Sequence, residues 1–462
     1  MDLAKRRNFV KQPKQITVSW RMTSPPLEPT GESIWDSLPV ASLEDQALEG
    51  GLGWPPATIA VLREAFNRKL SRFQRWTTSP EIPPEPITKA ASVFRRGVAA
   101  SNQQSKVVSG RYDIGFVDSS DPAEVLPQGP DIFLILDHNV REGWPKLAGL
   151  ASYVLSMTEK SKTLETVSQI VSAWEAKGKP RQWVIVGGGV LADTAAFAAS
   201  LCQAPFTLVP TTLLSMVDAC IGGKTGVNFP PFGKNQVGHF SFPDQVQVLP
   251  AFLATLPKRH QLAGAFEAIK HGFLSNNMRL VEELPNIIDP KHPNFLALLR
   301  EAIQVKSEVV KRDPNESGVR ATLNLGHTLA HALEAISHAQ GQEILLHGEA
   351  VGFGLLYAIL LSEQVIGMPK TEAHLAKQAL KELPSRSELE HYLGHPIDHP
   401  KLFPELLHHI RLDKKMTDSS GNSRWILMKR FGECATHDGA YTVPVSDHAL
   451  EACWKAFIDH LT

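Results

Sequence analysis

The sequence predicts an α/β chain: an N-terminal parallel-sheet domain of nucleotide-binding type, then an all-helical C-terminal domain. Three observations carry this expectation. From about residue 105, short apolar runs alternate with stretches of helical period. One such run leads into Gly187-Gly-Gly189 and an Ala-rich helix. Beyond about Leu256 the periodicity is almost wholly helical.

In chain order, residues 1–88 stand apart as an appendage of unknown role. Prolines cluster at Pro25-Pro26, Pro55-Pro56 and Pro83-Pro84, and Val61, Leu62, Phe66 and Leu70 keep helical spacing between them. Trp20, Trp35, Trp54 and Trp76 argue against full disorder of this segment. Residues 89–256 form the α/β domain. In it, the run from Asp131 to His138 reads as a strand that stops at Asp137-His-Asn139. A helix follows from Thr163 to Ala176, a strand at Trp183–Val186, a helix from Asp193 to Leu201, and a strand at Phe206–Val209 ending in Pro210-Thr211-Thr212. Such alternation implies parallel strands with helices on both faces. Residues 257–462 form the helical domain, with one late strand run at Arg424–Met428. Ligands are expected in the cleft between the two domains.

Composition excludes several classes. With 462 residues, 43% hydrophobic and 21% charged, the chain can bury two or three cores. Its net charge of -1 gives no electrostatic handle for nucleic acid or an acidic membrane. Cys202, Cys220, Cys434 and Cys453 show no C-x-x-C spacing, so neither a disulfide framework nor a cysteine zinc site is expected. No apolar run is read as a membrane span, and the basic N-terminus lacks the apolar region of a secretory signal. A cytoplasmic protein is expected.

Chemistry concentrates in a few segments. In Asn324-Leu-Gly-His327-Thr-Leu-Ala-His331, two imidazoles sit one helical turn apart on one face, with His347 beyond the helix. Spacing alone makes His327 and His331 joint metal ligands, or members of a plain polar stripe continued by Glu334 and His338. Glu267-Ala-Ile-Lys270 is either an ordinary i,i+3 ion pair or the source of an anionic third ligand beside His327 and His347. Gly187-Gly-Gly189 would let a pyrophosphate approach a helix N-terminus; Asp193 would cap that helix or accept from a ribose or nicotinamide. Asp218-Ala-Cys-Ile-Gly222-Gly223-Lys224-Thr225 lacks the Walker spacing, which rejects a nucleoside triphosphate site. Lys224, and Lys234 in Gly233-Lys234-Asn235, still suit contacts to a phosphate or other oxyanion. Lys306, Arg320 and Asp413-Lys414-Lys415 add cations in the helical half.

Together these stretches resemble the dehydroquinate synthase branch of the sugar phosphate cyclases. The matching segments are GGGVLAD, VPTTLLSMVDACIGGKTGVN, FGKNQVG, TLPKR, FEAIKHG, LNLGHTLAHALE, LHGEAVGFG and a late DKK, in family order from about Asp137 to Lys415. The resemblance implies an NAD-binding α/β domain and a metal-binding helical domain, and a homodimer. It implies a divalent metal, zinc or cobalt, on Glu267, His327 and His347. The NAD-facing set would be Asp137, Asn139, Glu159, Lys162, Gly188, Gly189, Asp193, Thr211, Thr212, Thr255 and Leu256. The substrate and catalytic set would be Asp218, Lys224, Lys234, Asn235, Lys270, Lys306, Arg320, Asn324, His331 and Lys415, with Lys414 the alternative to Lys415. His331 thereby moves from metal ligand to substrate neighbour.

The implied activity is 3-dehydroquinate synthase. It converts 3-deoxy-arabino-heptulosonate 7-phosphate to 3-dehydroquinate and phosphate in the shikimate pathway, by transient NAD oxidation, phosphate elimination, reduction and aldol closure. Lys306 with Arg320 favours a substrate bearing a carboxylate. The chain also departs from the family pattern. An arginine expected after the GGGVLAD helix is replaced by Leu201-Cys-Gln-Ala-Pro205, and the acid expected after TLPKR is His260. One extra residue sits in Asn228-Phe-Pro-Pro-Phe-Gly233, and the stretch before His347 is long. These departures leave open a cyclase for another sugar phosphate in specialised metabolism, and an inactive NAD-binding pseudoenzyme.

Overall fold

The computed structural model describes residues 106–108, 112–229, 233–340, 344–412 and 422–461. The appendage 1–88, residues 230–232, and Asp413, Lys414 and Lys415 lie outside the described residues.

Runs of three to six residues become strands of one seven-stranded sheet. These are β1 (Lys106–Val108), β2 (Asp113–Phe116), β3 (Ile132–Asp137), β4 (Ser152–Leu155), β5 (Gln182–Gly187), β6 (Phe206–Pro210) and, after a hairpin, β9 (Gln245–Val248). The order is β1-β2-β9-β6-β5-β3-β4. Every neighbouring pair is parallel except the edge pair β1–β2. All six residues of β3 are buried, as a strand covered by helices on both faces requires. Register pairs Leu136 with Val186, Val186 with Val209, and Gly187 with Pro210, so β3, β5 and β6 end level. That shared edge gathers Asp137, the glycine turn and Thr211-Thr212, which sequence separates widely.

The expected helix at 163–176 forms as α1 (Leu164–Ala176), with Thr163 as N-cap accepting from Thr166 N at 3.3 Å. The next helix differs from expectation. It starts at Gly189, not Asp193, because Gly188 is already its N-cap; α2 spans Gly189–Leu201. Asp193 therefore lies in the second turn and caps nothing. A second departure is a β-hairpin within the α/β half, β7 (Lys224–Phe229) and β8 (Gly233–Phe240), which the reading of alternating helices and strands had not foreseen. Its strands alternate polar and apolar residues too briefly to announce themselves.

The helical half contains α3 (Lys258–Ser275), α4 (Phe295–Arg312), α5 (His327–Gln340), α6 (His347–Leu361) and the last helix α7 (Asp447–Leu461), among shorter ones. Every residue of α3 from Ala263 to Phe273 is buried, including Glu267, Lys270 and His271. Helix α6 is apolar on all sides and sits at the centre of the bundle. With the turn that extends it, His347–Ile366 is by length and composition apolar enough to cross a membrane, which corrects the expectation from the sequence; 72% of its most apolar window is buried inside the protein. Two glycines let α6 dock main chain to main chain. A Cβ on Gly348 would lie 1.9 Å from Ala263 O, and one on Gly354 1.9 Å from Gly326 O. The run Arg424–Met428 is not one strand. Trp425 pairs with Val443 and Met428 with Cys434, so the chain passes from one two-stranded ribbon to another.

Candidate active site

The carboxyl edge of the sheet forms one wall. Asp137 Oδ1 accepts Asn139 N at 2.9 Å and caps the short helix His138–Gly143. Gly187 O accepts Thr211 N at 3.1 Å, and Thr212 Oγ1 lies 2.9 Å from Ser215 Oγ, so the turn after β6 is tied to the glycine turn after β5. The first N–H groups of α2 have no partner within the helix, as at any helix start, and suit an anion. Thr255 Oγ1 accepts Trp144 Nε1 at 3.1 Å, which brings Thr255 and Leu256 beside the end of β3. Lys162 Nζ reaches Asp193 Oδ2 at 2.7 Å and Asn235 Oδ1 at 2.5 Å. Burial pushes the Asp193 carboxyl up, and the Lys162 ammonium offsets only part of that.

The opposite wall holds three metal-ligand types from three helices. Glu267, His327 and His347 present atoms all within 4.8 Å of one another. Both imidazole Nε2 atoms face the same carboxylate oxygen, Glu267 Oε1, at 3.6 Å from His327 and 3.5 Å from His347. His327 Nδ1–H donates to Leu325 O at 3.2 Å, and His347 Nδ1–H donates to Glu334 Oε2 at 3.2 Å. Those bonds turn both Nε2 atoms inward, the orientation a metal needs. Against burial, Glu334 and Glu267 push the His347 imidazole up to about 10, so its Nε2 proton must leave before a metal enters. Burial and then the charge of Lys270 hold the His327 imidazole well below its ordinary value, hence neutral.

The Glu267 carboxylate is fully buried, and neither oxygen has a hydrogen bond. Lys270 Nζ forms an ion pair with Oε2 at 2.5 Å. Burial favours protonating Glu267; the Lys270 charge overcomes this and holds it well below the carboxylate range. A buried, ionised carboxylate whose Oε1 faces two imidazole Nε2 atoms is the donor set of a divalent cation such as zinc, with further positions open. His331, expected from spacing to share the ion, is not in this group. It lies at the exposed rim, its ring centroid 5.6 Å from that of His327 and 6.3 Å from that of His347.

A second group, Asp218, Glu267 and His271, has the same compactness. Its centre is already served by ammonium groups. Lys306 Nζ lies 2.6 Å from Asp218 Oδ1 and also donates to Asp218 O at 2.7 Å. Lys270 Nζ lies 3.7 Å from Asp218 Oδ1. Against the opposing effect of burial, Lys306 and then Lys270 hold Asp218 well below the usual carboxylate range. Burial pushes the Lys306 ammonium down, despite Asp218.

The other expected residues divide by neighbourhood. Lys224 pairs with Glu316 at 2.7 Å, and Asn324 Nδ2 donates to the same carboxylate at 3.2 Å. Lys234 Nζ lies 2.9 Å from Glu334 Oε1. Arg320 is buried, and its fork donates to Pro314 O at 2.7 Å and Gly222 O at 2.8 Å, leaving Nε without a partner. Glu334 and Glu316 were absent from the expected set. Glu334 had registered only as part of a polar stripe, although it falls on the His327–His331 face of α5. Half-buried Arg259 and buried Glu349 form a further frame. Arg259 Nε and Nη2 meet the two Glu349 oxygens at 2.6 and 2.8 Å, and Glu349 Oε2 accepts Leu346 N at 2.9 Å. The TLPKR and His-Gly-Glu segments thus clamp the start of α6, next to His347.

The chain is similar to known proteins. Residues 152–263 match the 3-dehydroquinate synthase N-terminal family and residues 264–416 its C-terminal family. The 3-dehydroquinate synthase of Methylacidiphilum infernorum is 41% identical over 281 residues, covering 59% of this chain and 73% of that protein. That of Pseudomonas aeruginosa is 35% identical over 317 residues, covering 67% and 82%. Among solved structures, 2-epi-5-epi-valiolone synthase from Streptomyces hygroscopicus, with NAD+ and Zn2+ bound, superposes with a TM-score of 0.61 at 26% identity over 77% of this chain and 99% of its own. A 2-deoxy-scyllo-inosose synthase complexed with carbaglucose-6-phosphate, NAD+ and Co2+ shares the fold, with a TM-score of 0.62 at 23% identity over the same shares.

Proposed function

We propose, from the premise that this chain belongs to the 3-dehydroquinate synthase family, that it is a phosphate-eliminating carbon–oxygen lyase. Its substrate is 3-deoxy-arabino-heptulosonate 7-phosphate and its product 3-dehydroquinate, with NAD and a divalent metal as cofactors. The observation that carries the reading is the buried, ionised Glu267 carboxylate, whose Oε1 faces the Nε2 atoms of His327 and His347 beside a cluster of lysines.

In this reading Glu267, His327 and His347 hold the metal, taken to be zinc. Asp137, Asn139, Glu159, Lys162, Gly188, Gly189, Asp193, Thr211, Thr212, Thr255 and Leu256 hold NAD along the sheet edge. When bound, the metal acidifies a substrate hydroxyl and NAD takes up and returns its hydride. The protein's own side chains orient the rest. Lys306 is held by two acceptors of Asp218, so its ammonium is aimed rather than freely solvated. Lys224, Lys234, Asn235, Lys270 and Arg320 extend the same positive basin toward phosphate and carboxylate. His331 at the rim is placed to exchange a proton with a substrate oxygen, and Asn324 lines the same side. Lys415 or Lys414 would close the basin. The working form is a cytoplasmic homodimer.

Arg320 supports a second reading. Both terminal nitrogens of its fork are engaged by backbone carbonyls, which weakens its grip on a substrate carboxylate and suits a cyclase for another sugar phosphate. One assay separates these readings. Zinc-loaded protein with NAD is incubated with 3-deoxy-arabino-heptulosonate 7-phosphate or sedoheptulose 7-phosphate, and phosphate and NADH are followed. Phosphate release from the first without NADH accumulation supports the synthase. Release only from the second favours the alternative cyclase. Net NADH overturns both in favour of a dehydrogenase, and silence with every substrate favours a pseudoenzyme.

A further inference from the structure

The turn Glu159–Ser161 with Lys162, and the hairpin β7–β8, are joined by one residue that neither set of expected site residues contains. Asn228 Nδ2 donates to Glu159 Oε1 at 2.8 Å and to Glu159 O at 3.1 Å. Its backbone N donates to Lys162 O at 2.8 Å. Its Oδ1 accepts Asn235 N at 2.9 Å. One amide side chain thus uses both its donor and its acceptor groups, one toward each segment.

The hairpin is built to make this connection. Val227 pairs with Val237 and Phe229 with Gly233, so Asn228 alone on β7 faces the three residues 234–236 of β8. Irregularities of this kind re-aim side chains beside active sites. Asn235 takes up the distortion at φ 53°, a left-handed conformation that asparagine tolerates better than most residues. The distortion turns its N–H onto Asn228 and its Oδ1 onto Lys162, which in turn holds Asp193 behind the glycine turn.

We infer that Asn228 is a positioning residue that couples occupancy of the dinucleotide wall to the placement of Lys234 and Asn235. The inference rests on the proposed reading of Glu159, Lys162 and Asp193 as NAD-facing and of Lys234 and Asn235 as substrate-facing. NAD that fixes the Glu159–Lys162 turn thereby fixes the acceptor and donor that Asn228 needs, and the hairpin is ordered before the sugar phosphate arrives. By linkage, anything that orders the hairpin also tightens NAD.

The test is amide hydrogen exchange on the zinc-loaded full chain with and without NAD, together with calorimetric NAD titration. In the wild type, NAD should raise protection across residues 233–240. Asn228→Ala should abolish that increase and weaken NAD by about tenfold, the scale of one or two lost hydrogen bonds. Asn228→Asp keeps the acceptor for Asn235 N but loses the donor to Glu159, so it too should uncouple the hairpin. Lys162→Met is the control for the cofactor reading. Wild type that fails to bind NAD, or Lys162→Met that binds it undiminished, overturns that reading and the inference with it. NAD binding that depends on Lys162, yet leaves 233–240 unchanged in the wild type or still protects it in Asn228→Ala, overturns the inference alone. If Asn228→Ala does not fold, the wild-type exchange and Asn228→Asp still decide.

Discussion

Glu334 offers the sharpest test of the metal reading, because its carboxylate touches no expected ligand atom directly. It accepts His347 Nδ1–H at 3.2 Å and meets Lys234 Nζ at 2.9 Å, with its side chain almost wholly buried. Glu334→Ala removes both partners at once. A hydrogen bond involving a charged group contributes about 1.5–3 kcal/mol, which corresponds to roughly 10–100-fold in metal affinity. Glu334→Gln keeps an oxygen for His347 Nδ1–H but loses the charge. Neutral bonds have roughly half the strength of charge-assisted ones, so about 1 kcal/mol, or roughly fivefold, is expected. The assay is competition for zinc against a fluorescent chelator over a pH series, so that affinities are compared after allowing for the proton displaced from His347, with circular dichroism confirming the fold. The order wild type, Gln, Ala must appear. Wild-type zinc affinity in a folded Glu334→Ala protein would refute the assignment of His347 Nε2 as a metal ligand oriented through its Nδ1.

Four further outcomes are expected. His347→Ala should lose its metal on desalting, measured by elemental analysis; a variant that keeps stoichiometric zinc sinks the ligand trio. Metal affinity should rise with pH, by about tenfold per unit at most. Burial lowers the metal-free His347 imidazole, but Glu334 and Glu267 overcome that and push it up to about 10, so a proton must leave before metal enters. The sign for stability is opposite. In the metal-free protein this raised value contributes stability fully present below about pH 6.5, the unfolded value, and lost as pH climbs through about 10. Zinc titrations at pH 6.5 and 8.5 that agree within error contradict the first, and metal-free stability that stays flat or rises from pH 6.5 to 10 contradicts the second. Gly348→Ala should push α6 off α3, costing about 1–3 kcal/mol or more and weakening zinc together with stability. An unchanged urea midpoint shows that the helices do not meet as described.

Much of the architecture was legible because it follows from local pattern. The uninterrupted apolar run 132–136 can only be a strand covered on both sides, and Thr163 announces its helix with a cap. The start of α2 was misread since glycine at 189 carries a low helix propensity, while the packing of the turn against Thr212 and Ala219 overrides it. Contacts across long sequence separations were not legible from spacing. Nothing in periodicity joins Lys306 to Asp218 or Arg259 to Glu349. Glu334 shows the limit most plainly. A polar position on the His327 face reads the same whether that face meets water or a ligand shell, and only the arrival of His347 and Lys234 from other elements tells them apart.

The two close backbone approaches of α6 bear on the order in which this protein assembles. Gly348 meets the helix that carries Glu267, and Gly354 meets the residue just before His327. The spacing of the three donors is therefore set by main chains in van der Waals contact. Small zinc domains collapse around their metal and fall apart under chelation. Here the ion is a late guest on a finished mount: a chelator should silence the enzyme and leave it folded, ready to be recharged with zinc or cobalt without passing through the unfolded chain.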